Sequence, residues 1–121
     1  MHELDQTQLR LANDRIAARF DADDFICYES GQRLLERLSL TTLEPGVILD
    51  MGAGTGRLTA ELQRLYPNAS VIALDWSTGM LDIAADRAAL RLCADSHRLP
   101  LCDNSVDMII SNLHNIYQLF S

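Results

Sequence analysis

One stretch, Val47-Ile48-Leu49-Asp50-Met51-Gly52-Ala53-Gly54-Thr55-Gly56, constrains this chain more than any other. Its three leading apolar residues, two of them β-branched, read as the end of a buried parallel strand. An acid follows, then three glycines at alternate positions, then helical spacing from Arg57. Strand, glycine turn and helix start together describe a loop built to bring a ligand against the backbone. The glycines remove Cβ atoms where the ligand must pass, and the amides at the helix start are expected to point into that space.

The spacing narrows the ligand. A dinucleotide fingerprint runs G-x-G-x-x-G/A, its third small residue letting helix and strand pack closely. Here the pattern is G-x-G-x-G, and Arg57 stands where that fingerprint requires Gly or Ala, which disfavours a nicotinamide dehydrogenase. No G-x-x-x-x-G-K-[ST] occurs, so a P-loop is excluded. Asp50 puts a carboxylate beside the ligand, which suits a cationic group better than a pyrophosphate. Over these residues the chain resembles motif I of the class I S-adenosylmethionine-dependent methyltransferases, (V/I)LD-x-G-x-G-x-G. A glycine-rich turn without a ligand is the alternative.

The flanking pattern repeats the same unit. Leu58, Leu62 and Leu65 lie on one face of a helix, and Val71-Ile72-Ala73-Leu74 is a second apolar run closing on Asp75. An acid at that strand end, about twenty residues past the glycines, follows the βαβ logic of ribose recognition. Ser77 is a natural N-cap for a helix carrying Met80, Leu81, Ile83 and Ala84. A third apolar run, Leu90 to Ala94, closes on Asp95, and a fourth strand is expected over Val106 to Ile110. The residues after it are weakly patterned. The expected architecture is α/β: a Rossmann-like parallel sheet of four strands in order 3-2-1-4, with helices on both faces.

Two helices are expected before the sheet, over about 7–20 and 25–38. Asp21-Ala22-Asp23-Asp24 between them reads as a solvated acidic turn, and Gly31 lies inside the second helix. Residues 1-44 thus form an N-terminal helical segment and 45-121 the core, one domain overall.

The formal net charge of −7 argues against a nucleic-acid partner, which would call for a basic face. No basic-then-apolar leader and no membrane-length apolar run occurs, so a cytoplasmic protein without a membrane partner is expected. Cys27, Cys93 and Cys102 are widely spaced with no C-x-x-C pair, which fits reduced thiols, with Cys93 expected in the core and no metal site.

A closer resemblance covers most of the chain. Arg19-Phe20-Asp21, Arg33 to Leu38, Val47 to Gly56, Asp75 to Leu81 and Ala94 to Asp107 follow the order seen in malonyl-[acyl-carrier protein] O-methyltransferases of biotin synthesis. Several of these motifs are shared with quinone-biosynthesis methyltransferases. The resemblance implies S-adenosylmethionine as cofactor, held by Asp50, Gly52, Ala53, Gly54, Gly56, Asp75, Trp76, Met80, Asp95 and Ser96. Within that set Asp75 would accept from the ribose hydroxyls and Asp95 would bond the adenine amino group. Trp76 reads equally as an adenine contact or as a core aromatic.

Leu99 to Asp107 resembles the family's crossover segment, with Asp107 a structural turn acid, while His97 reads as a surface loop histidine. No catalytic residue is identifiable. The acceptor implied is a malonyl thioester on acyl-carrier protein or, in the quinone-type alternative, a small molecule.

Family chains continue beyond the fourth strand, so the resemblance also implies a truncated domain or a non-catalytic cofactor-binding remnant. An uncovered fourth strand would leave Ile109, Ile110, Leu113, Ile116, Leu119 and Phe120 to be hidden. A homodimer through that strand or the tail is the expected solution, and a tail folded back on its own sheet the alternative.

Overall fold

The computed structural model describes residues 6–23, 25–94, 105–112 and 116–119. Helix α1 spans Gln6–Asp23 and α2 spans Phe25–Ser39. The sheet and its helices follow as β1 Val47–Met51, α3 Arg57–Leu65, β2 Ser70–Asp75, α4 Thr78–Ile83, β3 Leu90–Cys93, β4 Met108–Ser111 and β5 Ile116–Leu119. A 3₁₀ turn over Ala84–Asp86 continues α4.

The sheet has the order β3-β2-β1-β4-β5. The pairs β1–β2, β2–β3 and β1–β4 are parallel, with Ile48 opposite both Val71 and Met108. The four-stranded parallel core in order 3-2-1-4 is therefore as expected, and helices flank it. Strand β1 sits in the middle because the first crossover lays β2 on one of its sides and the crossover after β3 returns the chain to lay β4 on the other. The loop after β1 thus opens where the strand order reverses.

One face of the sheet carries the main core. Leu34 and Leu38 of α2 and Leu62 of α3 pack on Ile48, Val71, Met108 and Ile110. Leu34 and Leu38 sit four residues apart, the spacing that turns one helix face inward. Burying side chains of this size stabilises by about 1.5–3 kcal/mol each. Further along the same face Leu81 of α4 packs with Ala73 and Ala88. Leu49 and Leu74, directed to the opposite face, are buried as well. Gly31, inside α2, is buried where a Cβ would come 3.4 Å from Asn112 Nδ2 and 3.7 Å from Leu58 Cδ1.

Asp107 behaves as the expected structural acid. Its Oδ2 accepts from the amides of Gly46 at 2.9 Å and Val47 at 2.8 Å, pinning the entry to β1 beside the entry to β4.

Three expectations need correction. The tail is not patternless: β5 pairs antiparallel with β4, Ser111 opposite Ile116 and Met108 opposite Leu119. The uncovered β4 edge on which the dimer argument rested is thereby occupied, and Ile110 is fully buried. Second, α1 runs through Asp23, so Asp21 is helical rather than part of a turn, while Asp24 lies outside the described residues. Third, Cys93 is exposed, because β3 is an outer strand. Among the described residues no helix is long and apolar enough to cross a membrane.

Candidate functional site

The glycine loop is held from behind. Gly52 and Ala53 both donate to the carbonyl of Leu74, at 2.9 and 3.0 Å, and Gly56 donates to Ala53 at 3.0 Å. Gly54 donates to Asp75 Oδ2 at 3.0 Å. The loop's own amides at these four positions are thus engaged within the protein. What the loop offers a ligand is bare Cα surface and the carboxylates beside it.

Glycine is required at three of these positions. Gly52, Gly54 and Gly56 have φ of 70°, 58° and 81°, the left-handed region that side chains disfavour. A Cβ on Gly56 would also lie 3.1 Å from Ala84 Cβ and 3.3 Å from Arg87 Cβ. Gly56→Ala is expected to cost about 2–3 kcal/mol from backbone strain and overpacking together. Thermal unfolding would read this as a melting temperature lower by roughly 10 °C.

Two acids flank the loop, one from each strand end. Asp75, 7% exposed, accepts from Gly54 N with Oδ2 and from Ser77 N with Oδ1, both at 3.0 Å. Each oxygen keeps lone-pair capacity for a further donor. Ser77 caps α4 as expected, its hydroxyl accepting from Met80 N at 3.3 Å. Asp50 is 1% exposed and its Oδ2 accepts from Thr59 Oγ1 at 2.6 Å. Burial pushes its carboxyl up to about 7, and the nearby Asp75 charge adds to this while the Thr59 bond opposes it. Such a site gains from a cationic ligand.

These groups open on one cleft of about 1740 Å³ between the carboxyl ends of β1 and β2 and the helices α1 and α2. It exceeds the roughly 300–1,000 Å³ of an ordinary small-ligand pocket, leaving room for two molecules. Of the expected site residues, Asp50, Gly52, Ala53, Gly54, Asp75, Trp76 and Met80 line it. Gly56 instead packs under the turn at Ala84. Asp95 and Ser96, with His97 and Cys102, lie outside the described residues. Trp76 is 81% exposed, which excludes the core alternative and leaves its ring at the rim of the cleft. Cys93 lines the cleft too, its thiol donating to the Trp76 carbonyl at 3.5 Å.

The helical wall was not anticipated. Arg15, Arg19, Phe20 and Tyr28 line the cleft from α1 and α2. Asp21 meets Thr55, Arg57 and Arg87, and Arg57 lies over the Tyr28 ring at 4.5 Å. The available signal was Thr55, a hydroxyl between two glycines that has little reason to be there unless something accepts from it.

A family model for the methyltransferase domain matches residues 48–119. The malonyl-[acyl-carrier protein] O-methyltransferase of Gallionella capsiferriformans is 39% identical over 121 aligned residues, covering 91% of this chain and 42% of that protein. This chain thus spans well under half the length of that relative. Among solved structures, a Methanococcus maripaludis protein described as an S-adenosyl-L-methionine-dependent methyltransferase superposes with a TM-score of 0.63. It is 22% identical, over 92% of this chain and 53% of that one. The plantazolicin methyltransferase BpumL, solved with SAH, gives a TM-score of 0.56 at 19% identity, over 81% of this chain and 40% of its own. The solved structures establish the fold, and the family uses S-adenosylmethionine. Matched over more than half of its residues, the chain belongs to the methyltransferase domain family.

Proposed function

We propose that residues 45–121 bind S-adenosylmethionine in the cleft at the ends of β1 and β2, with residues 1–44 as a helical cover. The observation that carries this is Asp75: a nearly buried carboxylate at the second strand's end, held by Gly54 N and Ser77 N with lone pairs to spare. Asp75 would accept from the ribose hydroxyls, Gly52, Ala53 and Gly54 would let the ligand approach the backbone, and Trp76 and Met80 would flank the adenine. Gly56 would set the turn. Asp95 and Ser96 would complete the adenine end. Asp50, whose burial disfavours its own charge, would be relieved by a cationic group.

The cofactor supplies a methyl group on a sulfonium, already a good electrophile. What the chain itself adds is binding, orientation and a wall of helices that limits water. The methyl acceptor we assign is the free carboxyl of a malonyl thioester on acyl-carrier protein, as in biotin synthesis, in a cytoplasmic enzyme. The name of the Gallionella relative supports this assignment. A small-molecule acceptor of the quinone-pathway kind is the alternative. The second reading is a non-catalytic cofactor-binding remnant. Self-association through a strand edge would fall to β3 or β5, since β4 is paired on both sides.

Incubation with labelled S-adenosylmethionine and malonyl-carrier protein separates these readings. Methyl ester formed by these 121 residues refutes the remnant, and cofactor binding without transfer supports it. Calorimetry with S-adenosylhomocysteine and with NAD tests the cofactor, and binding of NAD alone would end the methyltransferase reading.

A further inference from the structure

Among the described side chains of α1 only Ala17 is buried, while Leu11, Ile16 and Phe20 remain exposed. Its described polar contacts with the glycine turn converge on Asp21. Oδ1 of Asp21 accepts from Thr55 Oγ1 at 2.8 Å, and Oδ2 lies 2.8 Å from Arg87 Nη2. Arg57 approaches from a third side, Nε 3.8 Å from Oδ1, with Nη2 donating to the Asp21 carbonyl at 3.4 Å. Arg87 Nη1 also donates to Thr55 Oγ1 at 3.0 Å, closing a ring of contacts.

The ring is sheltered enough to matter. The Asp21 side chain is 14% exposed, so its charge is screened less than that of a surface pair. Thr55 lies between Gly54 and Gly56, both left-handed, and Phe20 stands 4.0 Å from where a Cβ on Gly54 would sit. Arg57 carries the link on to α2 through Tyr28. One carboxylate therefore ties α1 to the turn at the proposed ligand site and, through Arg57, to Tyr28 of α2.

We propose that Asp21 is a positioning residue for the cofactor, holding α1 and the Gly54–Gly56 turn together so that the helix pair closes over the cleft. This rests on the cofactor reading given above. Asp21 lies at the wall of the cleft with its oxygens turned to the Thr55 hydroxyl and the guanidinium of Arg87, so its role is to hold the helix rather than to contact the cofactor. Weakening the ring lets α1 open locally and raises the free energy of the ligand-competent state without disturbing the sheet.

The test uses the full chain with Asp21→Asn, Asp21→Glu and Thr55→Val. Hydrogen exchange of the unliganded proteins and calorimetry with S-adenosylhomocysteine are the two readouts. Asp21→Asn is expected to speed exchange in α1 by about tenfold, with β1 and β2 unchanged. The same variant should weaken S-adenosylhomocysteine binding by about tenfold. Asp21→Glu, which keeps the charge, should restore most of both, and Thr55→Val should give a smaller change in the same direction. A lower melting temperature with unaltered affinity of the folded fraction would mark a merely structural role and overturn the proposal. Unchanged α1 exchange would overturn it equally. A wild-type chain that binds no S-adenosylhomocysteine would instead overturn the cofactor reading, and the cofactor role of Asp21 with it.

Discussion

Replacing Asp75 with alanine is expected to weaken binding of S-adenosylhomocysteine at least about a hundredfold. Hydrogen bonds to a charged acceptor are worth about 1.5–3 kcal/mol each, and two ribose hydroxyls would lose theirs together. The ligand-free protein suffers as well. Gly54 N and Ser77 N both donate to this carboxylate, so the substitution also frees the middle of the glycine loop and the entry to α4. Asp75→Asn is no remedy, because an amide turns one donor NH₂ toward a backbone N–H and leaves that pair unsatisfied. Calorimetry against wild type checks the affinity, and a dissociation constant within a few-fold of wild type would remove Asp75 from the ligand site.

Asp50 is expected to make stability depend on pH in the direction opposite to most buried-acid partners. With its carboxyl pushed up to about 7, the fold accepts the neutral form, so its stabilising contribution is complete below the unfolded value near 3.8. That contribution is lost as pH rises through about 7. The loss amounts to about 1.4 kcal/mol per pH unit and about 4 kcal/mol over the whole interval. Asp50→Asn keeps the shape and cannot ionise. Its stability relative to wild type should therefore rise between pH 4 and 7 and level off above, as measured by denaturant unfolding across that range. Curves that stay parallel would mean that Asp50 is ionised in the fold throughout. A cationic group bound beside Asp50 reverses the preference and expels the proton, so affinity for such a ligand should climb with pH up to about 7.

How much of this was readable beforehand divides along a physical line. Strands β1 to β3, the Ser77 cap and the acids Asp50 and Asp75 rest on local spacing, and the structure has them where the spacing put them. Asp107 was readable for the same reason, as a turn acid with backbone amides to receive. Asp21 was not: its partners Thr55, Arg57 and Arg87 are far along the chain, and no local period marks a pairing made across the fold. Cys93 was misplaced because an apolar run does not say whether its strand ends up inside the sheet or at the edge. Strand β5 is four residues long, too short for alternation to announce it, and it exists by virtue of β4 beside it. The amides of the glycine loop find their acceptors in Leu74 and Asp75 of the neighbouring strand and within the loop itself, pairings that no local pattern announces.

The strand order has a bearing on how the molecule assembles. Strands β1 and β2 are joined through α3 alone, whereas β1 meets β4 only after the chain has travelled through α4 and β3, closing at the Asp107 contacts with Gly46 and Val47 some 60 residues apart. Closing a loop about three times longer costs about 1 kcal/mol more in chain entropy, and such contacts tend to form late. Among the parallel pairings, β1 with β2 and β2 with β3 close over much shorter loops than β1 with β4, so the early-forming part of the parallel core is β1–α3–β2–α4–β3, which contains the glycine loop and both Asp50 and Asp75. The residues proposed for recognition thus sit where the parallel pairings are more local, and β4 is laid beside them afterwards.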